Sequence, residues 1–306
     1  MKIAIVGAGA MGGLFGVRLV LAGLNVVFIE AVNSTIQTIR KEGITLEASD
    51  INVNVKVPIG RALDFQGVFD LLMIFTKGVH TYSAINSVRH LVGPSTWVLS
   101  LQNGLGNAEI IANIINPGRV IVGMTDLPAD LVKPGAVRSH GEGHVEIWTY
   151  NDTECPEVSV VANALRSSGI PCAVGPQAKI SVWEKVAFNA ALNAICAISH
   201  RDVGQVGNSK YGRELAIKVV NEAVSVAKSE GVDAREDRIV NAVQHAFDNQ
   251  SQHNPSMLQD LKSGRITEID FINGAIIERG SKNGIQTPIN ETLFSLVKLV
   301  EAGYMK

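Results

Sequence analysis

The stretch Lys2-Ile-Ala-Ile-Val6-Gly7-Ala8-Gly9-Ala10-Met11-Gly12, with its continuation to Glu30, decides the fold. Lys2–Val6 is an apolar run. The glycine cluster follows at once and opens an apolar-periodic stretch to Leu21. Gly23 ends that stretch, and a second apolar run, Val26–Ile29, is closed by Glu30. The order is strand, glycine turn, helix, strand, acid. Each part has a task in holding a dinucleotide. Gly7 permits the tight turn, Gly9 lets the backbone approach a pyrophosphate, and Gly12 lets the helix pack against the strand. Ala10 and Met11 fall in the first helical turn, where unpaired N–H groups and the helix dipole favour an anion. Glu30, 21 residues beyond Gly9, stands where a carboxylate meets ribose hydroxyls. A glycine-rich turn in a βαβ unit without a ligand would share part of this pattern.

After Glu30 the alternation continues. Thr35–Glu42 reads as a short helix ended by Gly43, Ile44–Leu46 and Val53–Val57 as short strands, and Leu71–Phe75 and Trp97–Leu101 as strands buried on both faces. Such alternation implies a parallel sheet covered by helices. Gly135–Thr149 reads as a hairpin added to the sheet edge. Beyond residue 175 strand signal fades. Stretches with a period near 3.6 take over at Ser181–Ser199, Lys210–Ser229, Ala234–Asp248 and Ile266–Asn283. The expected organisation is α/β, with a Rossmann dinucleotide-binding domain over residues 1–175 and an all-helical domain over 176–306.

Composition narrows the function. A chain of 306 residues has room for two domains, and a net charge of −2 leaves no electrostatic footprint for nucleic acid or an anionic membrane. No apolar run reaches the roughly 20 residues that span a bilayer, and the glycines of the first turn do not suit a signal peptide. Three cysteines without a CxxC pair suit a reducing, cytoplasmic compartment and small-hydrophobe roles. The seven histidines lack metal-ligand spacing, so no metal is expected.

Three constellations lie beyond the glycine turn. Phe75-Thr76-Lys77 ends a buried strand, where Lys77 can face a cofactor or simply be solvated. Gln102-Asn103-Gly104 ends the next, and an amide there can serve a nicotinamide or a substrate carbonyl, or form a plain turn. In Trp183–Asn193, Lys185, Asn189 and Asn193 recur at i, i+4 and i+8 on one helix face among apolar residues. Polar groups so placed are costly unless partnered, and a partly desolvated lysine is a good proton donor. A polar stripe paired with another helix is the competing reading. Ser256 and Glu268, taken alone, read as a helix-start residue and a solvated acid.

Taken together, KIAIVGAGAMGG, Thr76-Lys77, LQNGLGN at Leu101–Asn107, WEKVAFNAALNAICAI at Trp183–Ile198 and PSMLQDLKSGRITEIDFINGAI at Pro255–Ile276 resemble the ketopantoate reductase family from one end of the chain to the other. The resemblance implies a Rossmann domain followed by a helical domain, an active site in the cleft between, and reduction of a 2-oxo acid to a 2-hydroxy acid by a nicotinamide cofactor. It implies Lys185 as general acid and Glu268 beside it as the catalytic pair. Ser256, Asn189 and Asn193 would bind substrate, Asn103 would position nicotinamide and substrate, and Lys77 would lie beside the cofactor.

One position departs from the family pattern. NADPH-using members usually carry a basic residue just past the second strand, whereas Glu30-Ala31-Val32-Asn33 has none before Arg40. A carboxylate suits ribose hydroxyls and repels a phosphate, so NADH is favoured within an NAD(P)H-using family. The default reaction the resemblance implies is 2-dehydropantoate to (R)-pantoate, in pantothenate biosynthesis. The alternatives are an NAD-dependent D-2-hydroxyacid dehydrogenase acting on another branched or aromatic substrate, and a non-catalytic dinucleotide redox sensor. A small-molecule 2-oxo acid is the expected partner, and a homodimer is left open.

Overall fold

A computed structural model of the chain describes residues 1–249 and 251–304. The chain divides into two compact units, Met1–Gln102 with Asn107–Ala178, and Asn103–Gly106 with Lys179–Lys306.

The first unit is α/β. In chain order it runs β1 (Lys2–Val6), α1 (Ala10–Leu21), β2 (Asn25–Ile29), α2 (Asn33–Glu42), β3 (Ile44–Glu47), β4 (Asn52–Val55), β5 (Ile59–Gly60), β6 (Leu71–Ile74), α3 (Thr81–Ser87), β7 (Trp97–Ser100), α4 (Asn107–Ala112), β8 (Val120–Thr125), β9 (Asp130–Lys133), β10 (Ala136–Arg138), β11 (Val145–Thr149), α5 (Pro156–Ser167) and β12 (Cys172–Val174). The main sheet has the order β12-β11-β8-β7-β6-β1-β2-β5. From β8 to β5 every pairing is parallel. β6 and β7 are buried along their whole length, as the continuous apolar runs require of parallel strands covered on both faces. The chain leaves β1 toward β2 on one side and β6 flanks it on the other, so the strand order reverses between β1 and β6. In open α/β sheets that reversal is where ligands bind, beyond the carboxyl ends of the strands.

Close packing of α1 on the sheet rests on its glycines. A Cβ at Gly12 would run into the Gly7 carbonyl oxygen, and one at Gly16 into the Phe28 ring.

The stretch Gly135–Thr149 is not the expected edge hairpin. Ala136–Arg138 joins a separate four-stranded sheet, β4-β3-β10-β9, pairing parallel with β3 and antiparallel with β9. Val145–Thr149 pairs antiparallel with β8 and parallel with β12 in the main sheet. Alternation marks both segments as strands, but they do not pair with each other, and β3, one partner of Ala136–Arg138, lies about 90 residues earlier.

The second unit holds α6 (Ala178–Ser199), α7 (Val203–Gly207), α8 (Lys210–Ser229), α9 (Glu236–Asn249), α10 (Ser256–Lys262), α11 (Asn273–Lys282) and α12 (Pro288–Glu301), with no strand among its described residues. Its core is one apolar cluster rich in small side chains, with Ala187, Ala190, Ala191, Ala194 and Ala197 of α6 and Ala216, Ala223 and Ala227 of α8 all buried. Ala216, Val219, Val220, Ala223 and Ala227 fall at helical spacing, which gives α8 its buried face. Two buried amides tie the helices together. Asn273 Nδ2 donates to Asn290 Oδ1 at 2.9 Å and to the Ala190 carbonyl at 3.4 Å. Glu222 accepts the N–H groups of Ile289 and Asn290, each at 2.9 Å, and Asn290 Nδ2 at 2.7 Å. Thr287, the residue before α12, makes no side-chain cap, so an acid from α8 does that work.

The expected long helix over Ile266–Asn283 is also corrected. Residues 267–272 are not helical, 269–272 forming a turn, and α11 starts only at Asn273. Thr267 Oγ1 accepts the Ile269 N–H at 3.1 Å, and the Glu268 carbonyl accepts from Phe271 and Ile272 at 3.0 and 3.1 Å. These bonds fold the backbone into successive turns that a period of 3.6 does not reveal.

Candidate active site

On the first unit, the β1–α1 turn lies against the end of β6. Gly7 has φ +103°, a conformation L side chains rarely adopt. Its N–H donates to the Ile29 carbonyl at 2.8 Å, and a Cβ would meet the Phe75 carbonyl carbon and the Thr76 nitrogen at 3.0 Å. Gly9 differs. It precedes α1 with φ −80°, and a Cβ there would have no protein atom within 4 Å. Nothing in the protein requires glycine at this point, and the bare backbone leaves room for a group to approach it. The first turn of α1, Ala10-Met11-Gly12, has no side-chain cap and no acidic residue. Its N–H groups are arranged for an anion.

Glu30 closes β2 and is bound on both oxygens. Oε2 accepts the Ala8 N–H at 2.9 Å, and Oε1 accepts those of Ala31 and Val32 at 2.8 and 2.9 Å. A carboxylate has about four acceptor sites, so capacity for a ribose hydroxyl remains. Thr76 Oγ1, beside Gly7, is buried with no hydrogen-bond partner. Lys77 follows, half-buried, just ahead of a short 3₁₀ turn. An open cradle at Gly9, uncapped amides, a held carboxylate and an orphaned hydroxyl fit a dinucleotide. Among the described residues, no group of three or more His, Cys, Asp or Glu is placed to hold a metal ion.

On the second unit, α6 carries Lys185 and Asn189 half-buried and Asn193 buried, at 7% exposure. Trp183, Val186, Ala187 and Ala190 around them are core residues. Asn103 opens a four-residue turn that belongs to this unit. The turn is pinned to the segment carrying Glu268. Leu105 N–H donates to the Phe271 carbonyl at 2.8 Å, and Gly104, at φ +89°, lies so close to Phe271 that a Cβ would collide with it. Glu268 is half-buried, with Ile269 beside it fully buried and Ile266 at 37% exposure. Ser256 is exposed at the first position of α10. The cofactor-side candidates Gly7, Gly9, Ala10, Met11, Gly12, Glu30 and Lys77 thus share the first unit. Asn103, Lys185, Asn189, Asn193, Ser256 and Glu268 share the second.

Profiles described as Ketopantoate reductase PanE/ApbA and Ketopantoate reductase PanE/ApbA C terminal match residues 3–152 and 178–301. A 2-dehydropantoate 2-reductase from Pyrococcus horikoshii is 35% identical over 303 residues, covering 99% of this chain and 98% of its own. The chain belongs to the ketopantoate reductase family. Among solved structures, a D-mandelate dehydrogenase with NADH and anilino(oxo)acetate superposes with a TM-score of 0.94 at 31% identity, covering 100% of this chain and 99% of the other. A PanE/ApbA family ketopantoate reductase from Ralstonia eutropha gives 0.92 at 30% identity, with both chains fully covered.

Several contacts made by residues near these candidates escape a sequence reading. Arg61 is remote in sequence from the β2–α2 turn, yet its guanidinium donates to Asn33 Oδ1 at 3.0 and 2.8 Å. Arg40 is engaged elsewhere, by the Ile59 carbonyl at 2.9 Å and Asp64 at 3.2 Å. Gln102 ties two strand ends, donating to the Thr76 carbonyl and to Thr81 Oγ1, each at 2.7 Å. No local pattern signals any of these contacts, because each joins residues at least 19 positions apart. No helix among the described residues is long and apolar enough to cross a membrane.

Proposed function

We propose that this protein is a nicotinamide-dependent oxidoreductase that interconverts a 2-oxo acid and a 2-hydroxy acid, with 2-dehydropantoate to (R)-pantoate as its default reaction and NADH as its preferred reductant. The observation that carries the reading is the α6 stripe: a half-buried lysine followed at one-turn intervals by two amides in an otherwise apolar helix. When bound, the nicotinamide supplies a hydride to the carbonyl carbon of the 2-oxo acid. Negative charge then grows on the carbonyl oxygen, and the Lys185 ammonium meets it and donates the proton. Glu268 orients Lys185 and the new hydroxyl. Asn103, Asn189 and Asn193 hold polar groups of the substrate by donating and accepting through their amides, and the Ser256 hydroxyl donates to its carboxylate. Gly7–Gly12, Glu30, Thr76 and Lys77 hold the dinucleotide. The free thiols Cys155, Cys172 and Cys196 fit a reducing, cytoplasmic setting.

Glu30 also favours a second reading, an NAD-dependent D-2-hydroxyacid dehydrogenase for a branched or aromatic substrate. The likeness to a D-mandelate dehydrogenase with NADH supports it. The test is a panel of 2-oxo acids, 2-dehydropantoate and phenylglyoxylate among them, assayed with NADH and NADPH in parallel. The highest kcat/KM on 2-dehydropantoate supports the first reading and on an aromatic acid the second. No turnover on any member contradicts both.

A further inference from the structure

We propose that Thr267 and Glu301 are positioning residues, clamping the turn that presents Glu268 so that the acid keeps its place beside the substrate. The inference rests on the reading of Glu268 given above. Glu301, the last residue of α12, is a carboxylate at 2% exposure. Its Oε1 accepts the Thr267 N–H at 2.8 Å and the Thr267 hydroxyl at 2.7 Å. A buried carboxylate is expensive unless it is paired and hydrogen-bonded, and this one meets the residue immediately before Glu268. The hydroxyl is used twice, since it also accepts the Ile269 N–H at 3.1 Å. Thr267 is therefore fixed directly to a carboxylate of α12, and Ile269, on the other side of Glu268, is fixed to the Thr267 hydroxyl. Lys298 completes the device. Its ammonium lies 3.2 Å from Glu301 Oε2, without hydrogen-bond alignment, and donates to Asp270 Oδ2 at 2.9 Å.

The same turn carries more than Glu268. The Phe271 carbonyl holds the Leu105 N–H, so the Asn103 turn rides on the clamped segment. Neither Thr267 nor Glu301 need touch a reacting atom for this. Thr267 is fully buried, and its hydroxyl is spent within the protein. A group held within a fraction of an ångström of its working position loses about 100-fold in rate when displaced by about 1 Å.

The test is a double-mutant cycle on the full chain, with kcat, both KM values and the melting temperature measured for each variant. Thr267→Val keeps the side-chain shape and removes the hydroxyl. It is expected to lower kcat about 10–100-fold, to leave KM for NADH unchanged, and to melt within a few degrees of the parent. Thr267→Ser, which keeps the hydroxyl, restores kcat. In a Glu268→Ala background Thr267→Val has no further effect on kcat, because the residue it positions is gone. Thr267→Ala stands in should the valine fail to pack. Loss of kcat that multiplies with the Glu268→Ala loss, or unchanged kcat in Thr267→Val, overturns the clamp while leaving the role of Glu268 intact. Unchanged kcat in Glu268→Ala itself overturns both.

Discussion

Glycines of one motif serve different masters. Gly12 is demanded by the protein, because a Cβ there meets the Gly7 carbonyl. Gly9 is demanded by nothing in the protein. Gly9→Val is therefore expected to fold with a nearly unchanged melting temperature and to raise Kd for NADH about tenfold or more, the scale of one good lost hydrogen bond. Gly12→Val is expected to cost stability of about 1–3 kcal/mol, as overpacking does. Isothermal titration with NADH and thermal melting separate the two. Were Gly9→Val to bind NADH as the parent does, the turn would not be a pyrophosphate site. On the proposed reading, Glu30 would set the cofactor preference in the same neighbourhood. A carboxylate a few ångströms from a phosphate costs on the order of 1–4 kcal/mol, about a tenfold to several-hundredfold preference for NADH. Ratios of kcat/KM for the two cofactors measure it. A preference for NADPH would transfer the deciding role to Arg61, whose guanidinium lies on Asn33.

At the level of elements, local signals were legible and distant partners were not. The β1–α1–β2 unit is written in consecutive residues, and so is the α6 stripe. The break at Thr267–Ile272 is not, because its local turn bonds carry no periodicity and an anchor outside the turn, Glu301, lies 34 residues from Thr267. The fate of Ala136–Arg138 is likewise set by β3, about 90 residues earlier. Glu222 makes the same point for stability, since it caps a helix 67 residues on. Removing its carboxylate leaves the Ile289 and Asn290 N–H groups without their acceptor. Glu222→Ala is expected to cost about 1–3 kcal/mol, seen as a melting point several degrees lower with kcat retained. An unchanged melting point would show that water serves the end of α12 equally well. Lys298 adds a pH signature. Burial alone would lower its pKa, but Asp270 and Glu301 more than offset that and hold it above the ordinary lysine value. A lysine raised in the folded state contributes its full stabilisation below the unfolded value, about 10.4, and loses it as pH climbs through the raised one. Melting scans from pH 8 to 11.5 on the parent and Lys298→Met should therefore converge only at the alkaline end. A difference that stays constant across the range contradicts the assignment.

Across the whole molecule, the candidate residues divide by task. The residues proposed to hold the dinucleotide belong to the α/β unit, and the proposed proton donor and amides to the helical one. Binding and chemistry should then separate under mutation. The measurement that tests this most directly is single-turnover and steady-state reduction of 2-dehydropantoate by NADH in the parent and in Lys185→Ala, with NADH affinity determined on the same samples. The account predicts that Lys185→Ala loses about 10²–10⁴-fold in kcat, the usual worth of a positioned proton donor, and binds NADH as the parent does. A variant that turns over at the parent's rate at neutral pH would contradict it, and the proton would have to come from another group.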